Sequence, residues 1–420
     1  MFLSRRLPDH LRTNYTCDEI SGLLSGIMYG GTLSLLPIVL RKLGATNFQV
    51  GLFDSLPYAA GLFAFLWAQL SKHQPPISML VWVRGIGRAV LLLAALSTGP
   101  GFMILLAFLY WLFETAGSPA YAGIMKDIYP DEHRARAMGF VRTVTFGAMM
   151  VSSLAVGRYL DIAGIMAYKK IYPLLALVGL LALLRFKRIQ LSCEQPAAPP
   201  RRSVMLHFFD ILRRDRRFLV FNVLYSMWGF PYCMMLPILK IFFVDDLQIS
   251  NTQAGIISAI SSLASLVGVL LLAHHVDRWN PATVMAVLVG FVALAAATTG
   301  ISFLVHHYCD GCVWGLPAIG FVFIGAGLLG LASGSQNFTL LKYLTLIAGP
   351  EHVQDYRAVH ITLLGVRGLL APHFGILMMG LVGVGPCLLA IVSLLALSSL
   401  AMYIFSRSEG VDDPVQNPAA

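Results

Sequence analysis

The chain runs to 420 residues, of which 57% are hydrophobic and only 12% charged, and its mean hydropathy is +0.73. An average soluble domain carries about twice that share of charge, so the composition excludes a chain that builds a water-soluble surface. A formal charge of +9 would suggest nucleic acid in a soluble protein, but here the basic residues flank apolar runs, and six cysteines do not make a disulfide framework. Residues 1–17 are polar, and Arg5 and Arg6 read as a cytoplasmic flank, because no short apolar signal core follows them.

Apolar blocks of about 20 residues then follow, the length that crosses about 30 Å of hydrocarbon as helix. They fall near 19–41, 48–71, 77–97, 101–125, 137–159 and 171–187. After a hydrophilic stretch they resume near 218–243, 252–274, 281–305, 314–345, 358–383 and 385–405. None alternates polar with apolar, which excludes barrel strands. The outer loops hold only Arg41, Lys42, Lys169 and Lys170, and the remaining loop and terminal arginines and lysines gather on the inner side. This asymmetry puts both termini in the cytoplasm and favours an even number of spans.

The hydrophilic segment 188–217 holds a Pro/Ala-rich stretch and a basic, partly amphipathic piece from His207 to Arg214. Two readings stay open for that piece: a face resting on anionic lipid headgroups, or a regulatory helix. The expected organisation is a six-helix unit at 1–187, a cytoplasmic linker at 188–217, a second six-helix unit at 218–405 and a tail at 406–420. An internal echo supports duplication. Asn47, Gln49 and Gly51 precede the second span as Asn251, Gln253 and Gly255 precede the eighth, and Pro130 to Ala137 has a counterpart at Pro350 to Ala358.

Gly268 followed by Asp277-Arg278-Trp279-Asn280-Pro281 is similar to the loop signature of the major facilitator superfamily. The first-half copy, Gly61 followed by Leu70-Ser71-Lys72-His73-Gln74-Pro75, lacks the aspartate. Ser118-Pro119-Ala120-Tyr121 through Asp127, Pro130, Arg134 and Gly139 resembles that family's passage between helices four and five. The resemblance implies an all-α membrane protein of twelve transmembrane helices in two pseudo-symmetric six-helix bundles. It also implies a central cavity lined by helices 1, 4, 7 and 10, and a gating role for Asp277 and Arg278 with Arg357 as partner. The fifth span lacks the Gly-Pro-rich motif of drug antiporters.

Ionisable groups inside spans are costly and so are functional candidates. Asp54, Arg84, Arg88, Glu114, Arg142, Arg367 and His373 qualify, with Lys240 and Lys342 nearer span ends. Arg88 and Glu114 lie at matching depth on neighbouring spans, and the pair reads either as structural or as a switch in which Glu114 takes a proton when substrate binds. The resemblance implies that the second and eleventh helices face each other, so Asp54 and His373 read either as a pH-sensitive outer gate or as two groups satisfied by water. Arg367 suits an anionic group, with helix packing as its alternative role. Tyr29, Tyr110, Trp111, Tyr121, Tyr225, Trp228, Tyr232, Gln336 and Asn337 fall on the presumed cavity helices, where they line a substrate pocket or serve ordinary packing. Gly22, Gly26 and Gly30, and Gly330 and Gly334, recur at the four-residue spacing of close helix seams. His306, His307, Cys309 and Cys312 leave metal binding, a disulfide and inert loop residues all open, and no cofactor or resident metal is expected.

The reading is a monomeric secondary active transporter of the plasma (inner) membrane, not an enzyme, that moves a small organic, anionic or zwitterionic solute by alternating access with a proton as coupling ion. A membrane enzyme and a non-transporting sensor or scaffold remain as alternatives. The chain carries no metalloprotease, nucleophile-elbow or phosphate-loop motif, and its linker is too short for a folded sensor domain.

Overall fold

The computed structural model describes residues 9–63, 67, 75–191, 204–309, 312–313 and 315–411. Its helices are α1 (Asp9–Gly31), α2 (Leu36–Lys42), α3 (Asn47–Leu62), α4 (Pro76–Val90), α5 (Pro100–Ala116), α6 (Ser118–Ile128), α7 (Asp131–Ala163) and α8 (Tyr168–Phe186). There follow α9 (Val204–Arg214), α10 (Arg216–Ile241), α11 (Asn251–Arg278), α12 (Pro281–Tyr308), α13 (Ala318–Val382) and α14 (Val384–Val411). A two-residue hairpin, β1 (Cys312–Val313) with β2 (Leu316–Pro317), pairs Val313 with Leu316 in antiparallel register. Ten helical stretches among the described residues are long and apolar enough to cross a membrane, and Pro100–Ala116 is apolar but shorter.

Several expected spans differ in detail. The first is not one helix: α1 stops at Gly31, and the chain re-enters helix at Leu36 with Pro37 in its first turn. The fourth breaks at Gly117, because Pro119 has no N–H to continue the ladder. The tenth starts at Ala318 rather than near 314, since Cys312 to Pro317 forms the hairpin. It runs to Gly349, whose φ of 69° ends the segment before the eleventh. The lower part of the second expected span and the eroded signature Leu70 to Gln74 lie outside the described residues.

The repeated Asn-x-Gln-x-Gly pattern has a local physical cause. At α3, Thr46 Oγ1 accepts from the Gln49 N–H at 3.2 Å and Gln49 Oε1 accepts from the Thr46 N–H at 3.0 Å. At α11, Ser250 and Gln253 make the same reciprocal pair at 3.0 and 2.8 Å. Both echoes are capping boxes that start a helix.

The chain packs as two compact units, Met1–Pro200 with Gln248–Ser262, and Arg201–Leu247 with Leu263–Ala420. In the first, α1 lies directly against α7. A Cβ at Gly26 or Gly30 would run into the α7 backbone at Thr145 and Met149, so glycine at this spacing is what permits the seam. Ser152 Oγ donates across it to the Ile27 carbonyl at 2.6 Å. Also within this unit, Asp161 at the end of α7 accepts from the backbone N–H groups of Asn251 and Thr252 at 2.8 and 2.7 Å, capping α11.

In the second unit, Gly334 on α13 sits against the Ser265 backbone of α11, and Ser335 Oγ donates to the Gly268 carbonyl at 2.9 Å. The amphipathic linker piece is α9. Its Phe208, Ile211 and Leu212 pack onto Phe218, Leu344 and Val359, while Phe209, Asp210, Arg213 and Arg214 are exposed.

Candidate functional site

Glu114 on α5 is buried within the first unit among groups from two other helices. Its Oε1 lies 3.0 Å from Arg84 Nε and accepts from the Tyr29 hydroxyl at 2.8 Å, and its Oε2 lies 3.6 Å from Arg88 Nε. Arg84 and Arg88 stand one turn apart on α4, so both guanidiniums reach one carboxylate. Arg84 packs over Gly117, where a Cβ would meet its Nε at 2.8 Å, and its guanidinium lies 5.4 Å from the Tyr121 ring centre. Arg88 is only 1% exposed. It donates to the Gly179 carbonyl at 2.6 Å, to Ser25 Oγ at 3.2 Å and to the Tyr29 hydroxyl at 3.3 Å. Two cations against one anion leave the cluster with an excess positive charge.

A cavity of about 310 Å³ opens beside this cluster, lined by Tyr29, Leu33, Ser34, Tyr110, Trp111, Glu114 and Met149. That is the lower end of the range for small-molecule sites. Aromatic walls with one carboxylate edge suit an organic solute with both an apolar face and polar groups.

In the second unit, Arg367 on α13 is buried and reaches α10. Its guanidinium lies 5.4 Å from the Tyr225 ring centre and 5.7 Å from that of Trp228, and Nη1 donates to the Tyr225 carbonyl at 2.9 Å. Gly229 makes the room, since a Cβ there would overlap the guanidinium. Gln336 Nε2 donates to the Tyr225 hydroxyl at 2.7 Å. Among the described residues Arg367 forms no ion pair, and its Nε, like Trp228 Nε1, has no hydrogen-bond partner. Buried donors of this kind call for a ligand or water.

The sequence profile of the Major Facilitator Superfamily matches residues 20–307, more than half of the chain. The chain belongs to the Major Facilitator Superfamily. No curated protein matches it in sequence. Among solved structures, a nucleoside transporter, NupG, is similar with a TM-score of 0.71 at 13% identity, over 93% of this chain and 99% of that one. A POT family transporter in complex with a thioalcohol-conjugated peptide gives 0.74 at 10% identity, over 94% and 96%. The Escherichia coli fucose:proton symporter FucP gives 0.60 at 13% identity, over 94% and 98%. These likenesses show a shared fold. With the apolar helices, they make this facilitator an integral, multi-pass membrane protein.

The other expected site residues fall as follows. Asp54 is buried on α3 of the first unit, and His373 is half-buried on α13 of the second. Arg357 and Asn337 are exposed on α13, and Asn337 takes no part in the Gln336–Tyr225 contact. Asp277 and Arg278 end α11, but their side chains lie outside the described ones. Cys309 and Cys312 are exposed free thiols, and His307 instead stacks on Phe303 and lies 3.5 Å from Asp246. Among the described residues no group of three or more His, Cys, Asp or Glu could hold a metal.

Sequence reasoning misses three groups. His360 is 1% exposed and stands edge-on to Tyr225 at 4.5 Å, with Nδ1 2.8 Å from Asn222 Oδ1. Asn222 Nδ2 is spent on the Phe218 carbonyl, which fixes the amide and makes His360 Nδ1 the donor. The signal is available, since His360 precedes Arg367 by two turns and Asn222 precedes Tyr225 by three residues. Asp18, 3% exposed, is the third. It lies one residue before the expected first span, so it reads as part of the polar flank.

Proposed function

We propose that this facilitator is a secondary active transporter, not an enzyme, that carries a small organic solute with an anionic group, coupled to protons by alternating access. The observation that carries the reading is the buried Arg84–Arg88–Glu114–Tyr29 cluster at the edge of the 310 Å³ cavity. An anionic group entering there competes with Glu114 for the two arginines. If it wins them, Glu114 becomes an isolated buried carboxylate, and a proton neutralises it. Substrate and proton are thereby loaded together. Tyr29, Glu114, Tyr225, Trp228, Gln336, Asn337 and Arg367 are the proposed substrate-binding residues, and Arg367 gives the second unit an anion anchor of its own. Asp54 and His373 are proposed to join Glu114 in proton coupling, and Asp277, Arg278 and Arg357 to act in gating.

Twelve membrane crossings in two six-helix bundles belong to the same proposal. The break in α13 at Gly349 then separates two crossings, those in α1–α2 and α5–α6 fall within single crossings, and a linker lies near 188–217. The basic inner segments favour insertion in the plasma (inner) membrane with both termini in the cytoplasm. The solved neighbours include a proton symporter and carriers of a nucleoside and a peptide, so a first panel should span such chemistries.

The test is uptake by proteoliposomes of the full chain, offered uridine, fucose, dialanine and succinate with and without an inward proton gradient. Uptake of at least one solute should follow the gradient and collapse in Glu114→Gln. Gradient-independent uptake, or no uptake of any solute, would refute the reading.

A further inference from the structure

Asp18 is a buried carboxyl that the cluster around Glu114 does not use. It lies on α1, 3% exposed, beside a closed apolar core that includes Tyr15, Leu80, Ile124, Ile128, Tyr129 and Phe186. The phenol of Tyr129, just past the end of α6, donates to its Oδ2 at 3.0 Å. That single neutral donor is its partner, and among the described residues no lysine, arginine or histidine forms an ion pair with it.

The groups around it on every packed element bear this out. From α1 come Tyr15, Cys17 and Glu19, none of them cationic. From α6 and its end come Tyr121 and Tyr129. On α7, Arg134 is turned to the carbonyls of Lys126 and Tyr129, and Arg142 is exposed. Arg185 on α8, and Arg188 beyond it, are exposed as well, and Arg84 on α4 is committed to Glu114.

The contrast with Glu114 is one of compensation. Glu114 has two guanidiniums and a phenol, so its negative charge is matched where it stands. An ionised Asp18 would be an unmatched charge in an apolar core, a state that proteins avoid by neutralising the group. We propose that Asp18, held by Tyr129, is a proton-binding site of this chain, separate from the Glu114 cluster. Loading takes a proton from water onto the carboxylate, while Tyr129 keeps donating to Oδ2. Unloading leaves a carboxylate whose strongest partner is that phenol, which tightens the strap from α1 to the α6–α7 junction. The inference deepens the proton-coupled reading above and rests on it for its consequence.

The site itself is tested without a substrate, by infrared spectra of the full chain in lipid nanodiscs over a pH titration. Wild type should show the carboxylic C=O band of a buried acid at mildly acidic pH, lost as the pH rises. Asp18→Asn should lack that band, Glu114→Gln should retain it, and Tyr129→Phe should retain it at a shifted frequency. If Asp18→Asn does not fold, Asp18→Glu replaces it, and the band should move. A band unchanged by either Asp18 variant, lost in Glu114→Gln, or absent from wild type would overturn the assignment. Proteoliposomes separate this from the wider reading. A normal band with no proton-linked uptake of the solute panel defeats the transporter and leaves the site. Proton-linked uptake that is identical in wild type and Asp18→Asn leaves the transporter and defeats the coupling role.

Discussion

Removing Glu114 should show how tightly the first unit is built around one carboxylate. In Glu114→Leu the buried Arg88 loses its counter-charge, and breaking a buried ion pair costs about 3–5 kcal/mol. Arg88 keeps the Gly179 carbonyl, Ser25 Oγ and Tyr29, and Arg84 is half-buried and can turn toward water. The loss therefore belongs near the lower end, about 3 kcal/mol. In Arg88→Met, Glu114 retains Arg84 and Tyr29, but the buried Gly179 carbonyl is orphaned, at about 1–3 kcal/mol. The double variant leaves neither an unmatched Arg88 nor an under-compensated Glu114, so its loss should fall short of the sum by about 1–3 kcal/mol. Reversible unfolding of the full chain by dodecyl sulfate in mixed micelles reads all four corners of the cycle. Losses that add within about 0.5 kcal/mol would refute an energetically coupled pair.

Gly229→Ala places a methyl where the Arg367 guanidinium lies, so it should displace the arginine and destabilise the protein by about 1–3 kcal/mol. Tryptophan fluorescence should change with it through Trp228, and an unchanged spectrum and stability would show that Arg367 does not occupy that space. Gly30→Val drives a branched side chain into the Met149 backbone and should lower the melting temperature more than Gly147→Val, where a Cβ meets nothing within 4 Å. Equal shifts would contradict the α1–α7 seam. Asp161→Ala removes the acceptor of the first two α11 amides at about 0.5–2 kcal/mol, and amide exchange at Asn251 and Thr252 should quicken. Unaltered exchange would mean that water caps the helix equally well.

Much of this fold can be read from residue order because lipid permits so few solutions. Run length alone identifies the long apolar helices, ten of which among the described residues suffice to cross a membrane. Depth along two neighbouring spans suffices to set Arg88 level with Glu114, and the two lie 3.6 Å apart. The Thr46–Gln49 and Ser250–Gln253 echo is legible because a capping box is local chemistry. What stays hidden depends on three-dimensional accommodation. That Arg84 joins Arg88 on Glu114 requires the bare backbone of Gly117, and that Arg88 ends on α8 requires the Gly179 carbonyl. Neither glycine advertises its purpose in a sequence holding 38 of them. Asp18 escapes notice for another reason: hydropathy sees a polar residue at a span's edge, whereas its burial is set by α6, α7 and α8 closing over it.

Central to all of this is the claim that the chain couples movement of a solute to movement of protons. Proteoliposomes loaded with a pH-sensitive dye measure that coupling directly. A solute from the panel added outside should acidify the lumen of vesicles holding wild-type chain, in a fixed ratio to the solute taken up, and should not do so with Glu114→Gln. Solute entry with no proton entry, or equal acidification in Glu114→Gln, would contradict it.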